Sequence, residues 1–240
     1  MKPAPFEYYA PDTVQEALVQ LGEFGYEAKV LAGGQSLIPM MNFRLAQPSV
    51  IVDINNIKEL SFIRSNEDGG FSIGALARHN QVERSAVIMD KAPLINETMP
   101  HIATVQVRSR GTFGGSLSHA DPSAELCAVS VALEGEFLLQ SQREERWVPA
   151  KDFFVGLFTS VLEPDELLIE AKFPPLPDHT GCAMVEVARR PHDFALVGVA
   201  AVITLDGNGR CQQARIVLLS VGDGPVQAVQ ARQMLEGQVL

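Results

Sequence analysis

Two short segments carry the residues best suited to chemistry: Ala32-Gly33-Gly34-Gln35-Ser36-Leu37 and Thr112-Phe113-Gly114-Gly115-Ser116-Leu117. Each has a glycine pair followed by serine and leucine. Glycine admits positive φ and lets a ligand come close to the backbone. Successive N–H groups in such a turn can converge on an anion, and a serine hydroxyl adds one donor. Two loops of this kind on opposite sides of a pyrophosphate would hold it without lysine or arginine, which suits a chain of net charge −10. Taken singly, each pair is also what a tight turn requires. Neither segment is a P-loop, which needs a Gly-Lys-Ser/Thr ending, or a Gly-x-Gly-x-x-Gly dinucleotide fingerprint.

Other polar candidates are less distinctive. His119 and Asp121 follow the second segment and could reach a ribose or a ring, although Asp121 equally suits a helix cap. Glu125, one turn on, could accept from ribose hydroxyls or face solvent. Arg189-Arg190-Pro191-His192-Asp193-Phe194 sets charge beside an aromatic, as a ring edge, a partner surface or an exposed turn would. There is no Ser/His/Asp or Cys/His nucleophile arrangement and no histidine pair for a metal. Cys127, Cys182 and Cys211 are too far apart for cluster-ligand spacing, so three buried thiols are expected. The acidic balance argues against nucleic acid and against an anionic membrane surface. No apolar run reaches membrane-spanning length, and the N-terminus lacks a signal-peptide stretch, so a cytoplasmic location is expected.

The elements that would position these residues read as a mixed α+β chain. Thr13 and Glu16 suggest a capping box ahead of a helix whose apolar stripe is Val14, Ala17, Leu18, Leu21 and Phe24, with Gly25 as its stop. Lys29–Leu31 predicts a strand running into the first glycine pair, and residues 49–54 a buried strand. Phe62-Ile63 and Phe71–Ile73 flank a turn cluster, with helical stretches at 81–89 and 94–102 after them. Asp121-Pro122 predicts a helix start, and 136–139, 147–148 and 167–173 read as strands. Pro174-Pro175-Leu176-Pro177 marks a boundary. Beyond it, residues 198–205 and 214–219 form a hairpin around Asp206-Gly207-Asn208-Gly209, and a helix covers 228–235.

With these motifs in order, the sequence resembles the FAD-binding medium subunit of the molybdenum hydroxylases, the group of carbon monoxide dehydrogenase, quinoline oxidoreductase, nicotine dehydrogenase and the flavin domain of xanthine dehydrogenase. The resemblance is carried by Phe6-Glu7-Tyr8 with Pro11, Leu31–Pro39, Arg44–Pro48, Gln106–Arg108 with Gly111–Ser116, His119–Glu125, and Arg189-Arg190 with Asp193–Ala195. It implies a two-part FAD-binding domain of the PCMH type over residues 1–177, with subdomains of about 1–55 and 56–177. A small α/β C-terminal domain over 178–240 follows, and FAD lies between the two parts. Family members usually continue several tens of residues past the point matching Leu240, so a truncated or reduced C-terminal domain is expected.

The resemblance also implies roles for single residues. The pyrophosphate loops map onto residues 32–36 and 112–116, with Leu37 beside the first. Further FAD contacts map onto Ile102, Glu125, Leu168 and Glu186, and Phe194 stands near the isoalloxazine face, where many relatives have tyrosine. His119 and Asp121 join the cofactor-binding set. No catalytic acid or base and no metal ligand is expected in this chain. A molybdenum cofactor in a large subunit and two-iron two-sulfur clusters in a small subunit would be its partners, as a dimer of heterotrimers. A free-standing flavin oxidoreductase and a non-catalytic assembly domain are the competing readings.

Overall fold

The computed structural model describes residues 2–240. The chain opens on a parallel sheet. β1 (Glu7–Tyr9) and β2 (Ala28–Leu31) flank β3 (Val50–Asp53), with Tyr8 and Lys29 both opposite Ile51. α1 (Val14–Phe24) crosses between β1 and β2 and buries Ala17, Leu18 and Leu21. Thr13 caps it by accepting from the Glu16 N–H at 3.2 Å. The expected reciprocal bond goes elsewhere: Glu16 accepts from the N–H of Asp12 at 2.9 Å, one residue before the cap. Gly25 ends the helix at φ 48°, a left-handed value that favours glycine. α2 (Leu37–Asn42) follows the first glycine pair directly.

The second sheet is antiparallel. Its strands are β4 (Ile63–Ser65), β5 (Phe71–Gly74), β6 (Glu136–Gln140), β7 (Glu145–Pro149) and β10 (Leu167–Phe173), in the order β4-β5-β10-β6-β7. Short helices fill the excursion between β5 and β6: α3 (His79–Glu83), α4 (Ala86–Lys91), α5 (Pro93–Thr98), α6 (Val105–Arg108), α7 (Phe113–His119) and α8 (Glu125–Ala132). The stretch expected as one helix over 81–89 is two, because the Ser85 hydroxyl caps a new helix by accepting from Ile88 N–H. The helix expected after Asp121-Pro122 starts at Glu125 instead. Asp121 spends its carboxylate on the Ser123 N–H at 2.9 Å, closing a local turn in place of a cap. α9 (Ala150–Phe153) and the small hairpin of β8 (Phe154–Gly156) and β9 (Thr159–Ser160) complete this region. Phe173 anchors its core, stacked on Phe71 at 4.9 Å and meeting Phe113 edge-on at 6.1 Å.

The proline run 174–177 connects β10 to a second antiparallel sheet, β11 (Thr180–Ala188), β12 (Ala195–Leu205), β13 (Cys211–Leu219) and β14 (Val226–Gln227), with α10 (Val229–Leu235) last. Asp206 builds the expected hairpin by accepting from Asn208 and Arg210 N–H at 2.8 and 2.9 Å, with Gly209 at φ 76°. The inner face of this sheet is not a separate core. Met184, Ala200, Val202, Val217 and Leu219 join one apolar cluster with α5, α8 and the second sheet. No helix among the described residues is long and apolar enough to cross a membrane.

Candidate functional site

The two glycine segments come from different sheets and meet. The first leaves the end of β2. The second is knitted to the antiparallel sheet: Phe113 N–H donates to Ala77 O and Gly114 N–H to Ala75 O, both at 2.9 Å, and Ala75 N–H donates to Ile169 O of β10. They touch at Gly33, where a Cβ would stand 2.5 Å from Arg110 O and 2.8 Å from Gly111 Cα. Only glycine allows that approach.

The two segments are chemically unequal, which their shared sequence pattern does not reveal. In the first, Gly34 sits at φ 71°. Among the described residues, the backbone N–H groups of Gly33, Gly34, Gln35, Ser36 and Leu37 are not engaged by other groups. The Ser36 hydroxyl makes no capping bond, and Gln35 folds its amide back onto Gly33 O at 3.1 Å. This is an open concave row of donors. In the second, the N–H groups are spent inside the fold: Gly114 on Ala75, Gly115 on the Thr112 hydroxyl at 3.1 Å, Ser116 on Thr112 O. Its glycines serve close packing. A Cβ on Gly114 would lie 2.6 Å from Ala75 Cβ, and one on Gly115 would lie 2.5 Å from Thr112 Oγ1. The Ser116 hydroxyl remains, 3.5 Å from His79 Nε2.

His79 carried no signal in the sequence. It lies 4% exposed beneath the second segment, with Nε2 donating to Thr112 O at 3.0 Å. Burial is the main cause that lowers its pKa to about 4, with Arg108 and Arg78 adding repulsion against the Thr112 bond. The ring is therefore neutral near pH 7.

The other sequence-named residues fall into two groups. Ile102 and Leu168 are buried in the shared core, 7% and 3% exposed. Arg108 holds the Ile102 end by donating to the carbonyls of Ile102 and Ala103 at 3.0 and 2.9 Å while pairing with Glu83. Glu125 begins α8, and Glu186 on β11 buries its side chain beside it. Glu186 Oε1 is 3.3 Å from His101 Nδ1, and its Oε2 is buried without a partner. Burial first, then the charges of Glu186 and Asp121, raise the Glu125 pKa to about 7. His119 is half-buried, its pKa lowered by burial, with its ring 5.2 Å from that of Phe158.

Phe194 is 74% exposed, between β11 and β12. Phe194→Ala is expected to change unfolding free energy by less than about 0.5 kcal/mol in a urea titration, since little burial is lost. A larger loss would mean that the ring is packed in solution.

A hollow of 320 Å3 lined by Asn55, Ile57, Lys58, Ser61, Leu76 and Arg78 lies beside the segments' meeting point. The larger hollow of 480 Å3, near Glu134, Lys172, Arg215 and Arg232, shares no residue with either glycine segment. The chemistry therefore follows the donor row and not the larger cavity. That donor row suits a diphosphate: neutral N–H and O–H donors at a junction that a side chain on Gly33 would close.

Comparison with known proteins gives concordant results. The family described as "FAD binding domain in molybdopterin dehydrogenase" matches residues 4–176, and "CO dehydrogenase flavoprotein C-terminal domain" matches residues 183–240. The chain is similar to the 6-hydroxypseudooxynicotine dehydrogenase complex subunit alpha of Paenarthrobacter nicotinovorans, 43% identical over 98% of this chain and 79% of that one. It is similar to the carbon monoxide dehydrogenase medium chain of Hydrogenophaga pseudoflava, 39% identical over 99% and 82%. A solved carbon monoxide dehydrogenase from that organism superposes with TM-score 0.96 over 100% of this chain and 83% of the other, at 39% identity. Quinoline 2-oxidoreductase from Pseudomonas putida 86 gives 0.94 over 100% and 82%, at 37% identity.

Proposed function

Because this chain belongs to the family of FAD-binding subunits of the molybdenum hydroxylases, we propose that it is the electron-transfer component of such an enzyme, holding FAD at the junction of its first two sheets. The observation that carries this is the open donor row at 33–37 closing against 110–111, in a chain matched by the family along nearly its whole length.

FAD, when bound, supplies a reversible two-electron acceptor. The chain's own work is binding and orientation. The N–H groups of Gly33 to Leu37, with the Ser36 hydroxyl, hold the diphosphate from one side. The Ser116 hydroxyl offers a donor from the other, while Ala32, Thr112, Gly114 and Gly115 set the backbone in place. Ile102 and Leu168 supply apolar wall. Glu125, Glu186, His119 and Asp121 form the polar, partly neutral end of the site, and Phe194 offers an exposed ring toward the isoalloxazine side. Electrons would arrive from two-iron two-sulfur clusters in a small partner subunit, after substrate oxidation at a molybdenum cofactor in a large one, and leave for an external acceptor. The described residues contain no group of three or more His, Cys, Asp or Glu able to hold a metal ion. A dimer of heterotrimers in the cytoplasm is the assembly that this reading favours.

Purification of the chain from its native source tests the reading. It should bring molybdenum- and iron-containing subunits with it in fixed ratio. A chain that purifies alone and turns over a reductant and an acceptor by itself would contradict it.

A further inference from the structure

Between the two glycine segments lies a polar chain that no motif announces. Tyr8 donates to Asp53 Oδ2 at 2.6 Å. Asp53 Oδ1 accepts from both the backbone and the side-chain amide of Asn55. Asn55 Nδ2 also donates to Ala32 O at 2.8 Å, at the entry to the first segment. Its Oδ1 accepts from Arg78 Nη2 at 2.6 Å, and Arg78 Nη1 donates to Arg110 O, at the entry to the second. Arg78 thus connects the parallel sheet to the antiparallel one, and Arg110 O is the same oxygen that Gly33 abuts. The guanidinium is half-buried with its pKa lowered, burial first and Arg110's charge second, against an opposing pull from Asp53.

We propose that Asn55 and Arg78 are positioning residues, a clasp that fixes the gap between the two glycine segments at the width that a diphosphate spans. The inference rests on the FAD reading of the site. A planar guanidinium with donors in a fixed fork can hold one carbonyl and one amide oxygen at a set separation, which an ammonium cannot do. Asn55 is the counterpart on the other arm: an amide both donates to Ala32 O and accepts from Arg78. Neither residue needs to touch the ligand. Losing either would let the segments separate, so that donors on the two sides no longer meet one anion at once.

The test uses the full chain stripped of flavin, titrated with FAD, with ADP and with riboflavin, which lacks the diphosphate. Arg78→Ala should weaken FAD and ADP binding by about tenfold or more and leave riboflavin binding unchanged. Arg78→Lys should not restore it. Asn55→Leu is close in size and uncharged but can neither donate to Ala32 O nor accept from Arg78, so it should show the same diphosphate-selective loss. It also decides the matter if Arg78→Ala does not fold. Equal FAD and ADP affinity in wild type and Asn55→Leu would overturn the clasp, as would equal losses for riboflavin and ADP, which mark general loosening. A wild-type chain that binds neither FAD nor ADP would instead overturn the underlying FAD reading.

Discussion

Gly33→Ala is expected to lower FAD affinity by roughly 100-fold while the chain still folds. The new Cβ would stand 2.5 Å from a backbone oxygen, Arg110 O, and 2.8 Å from Gly111 Cα. No rotamer relieves a Cβ, so the two segments must part. Hydrogen bonds to a charged group are worth about 1.5–3 kcal/mol each, and misaligning one or two of them gives the expected loss at about 1.4 kcal/mol per factor of ten. The stability cost should be smaller, about 1–3 kcal/mol for local overpacking, because the contact lies between two loop segments, half-buried Gly33 and exposed Arg110. Flavin fluorescence titration and urea unfolding read the two effects separately. Gly181→Ala, where a Cβ meets nothing within 4 Å, is the control and should change neither. Unchanged affinity in Gly33→Ala would mean that the segments do not hold the ligand between them.

The second large effect concerns pH, and two buried groups oppose each other. Glu125 is raised from 4.5 to about 7, chiefly by burial. Between those values the unfolded chain gives up the proton and the folded chain keeps it. Stability from this group is thus present below 4.5 and is lost as pH rises through about 7. His79 is lowered from 6.5 to about 4, again chiefly by burial. The unfolded chain takes up a proton over that range and the folded chain does not, so its contribution is present above 6.5 and is lost as pH falls through about 4. Each amounts to something on the order of 3 kcal/mol, and in the wild-type chain the two slopes largely cancel over their shared window.

Single substitutions should expose them. Glu125→Gln in the flavin-free chain should make stability rise from pH 4 to 6.5 relative to wild type. His79→Gln should make it fall over the same range. Urea midpoints at four or five pH values measure both. Parallel pH profiles for the two variants would show that neither group is held out of water as described.

Local signals explain what was legible in the sequence. α1 is announced by Thr13 and ended by Gly25, and both act through their own backbone neighbours. The hairpin at Asp206–Gly209 is equally self-contained. β1 was not legible, because Glu7–Tyr9 are largely exposed and become a strand only by pairing with Val50–Val52. The start of α8 was displaced from Pro122 to Glu125 because Asp121 had two uses for one carboxylate, and the turn prevailed.

The site divides in the same way. The glycine pairs could be found by type and spacing. Their inequality could not, since it depends on Gly114 lying against Ala75 and Gly33 against Arg110, partners distant in sequence. Asn55, Arg78 and His79 are ordinary residue types in ordinary surroundings until the fold joins two sheets. Nothing in their spacing marks them. By contrast, Ile102 and Leu168 are indistinguishable in the structure from core packing, and nothing in that packing marks either as a cofactor contact.

The most direct test of the account is a titration of the flavin-free full chain with FAD, followed by the change in visible absorbance and the quenching of flavin fluorescence. Saturation at one FAD per chain, with ADP competing for the same site and Gly33→Ala shifting the midpoint to roughly 100-fold higher FAD, is the predicted result. No saturable spectral change in a folded wild-type chain, or saturation that survives unaltered in Gly33→Ala, would contradict it.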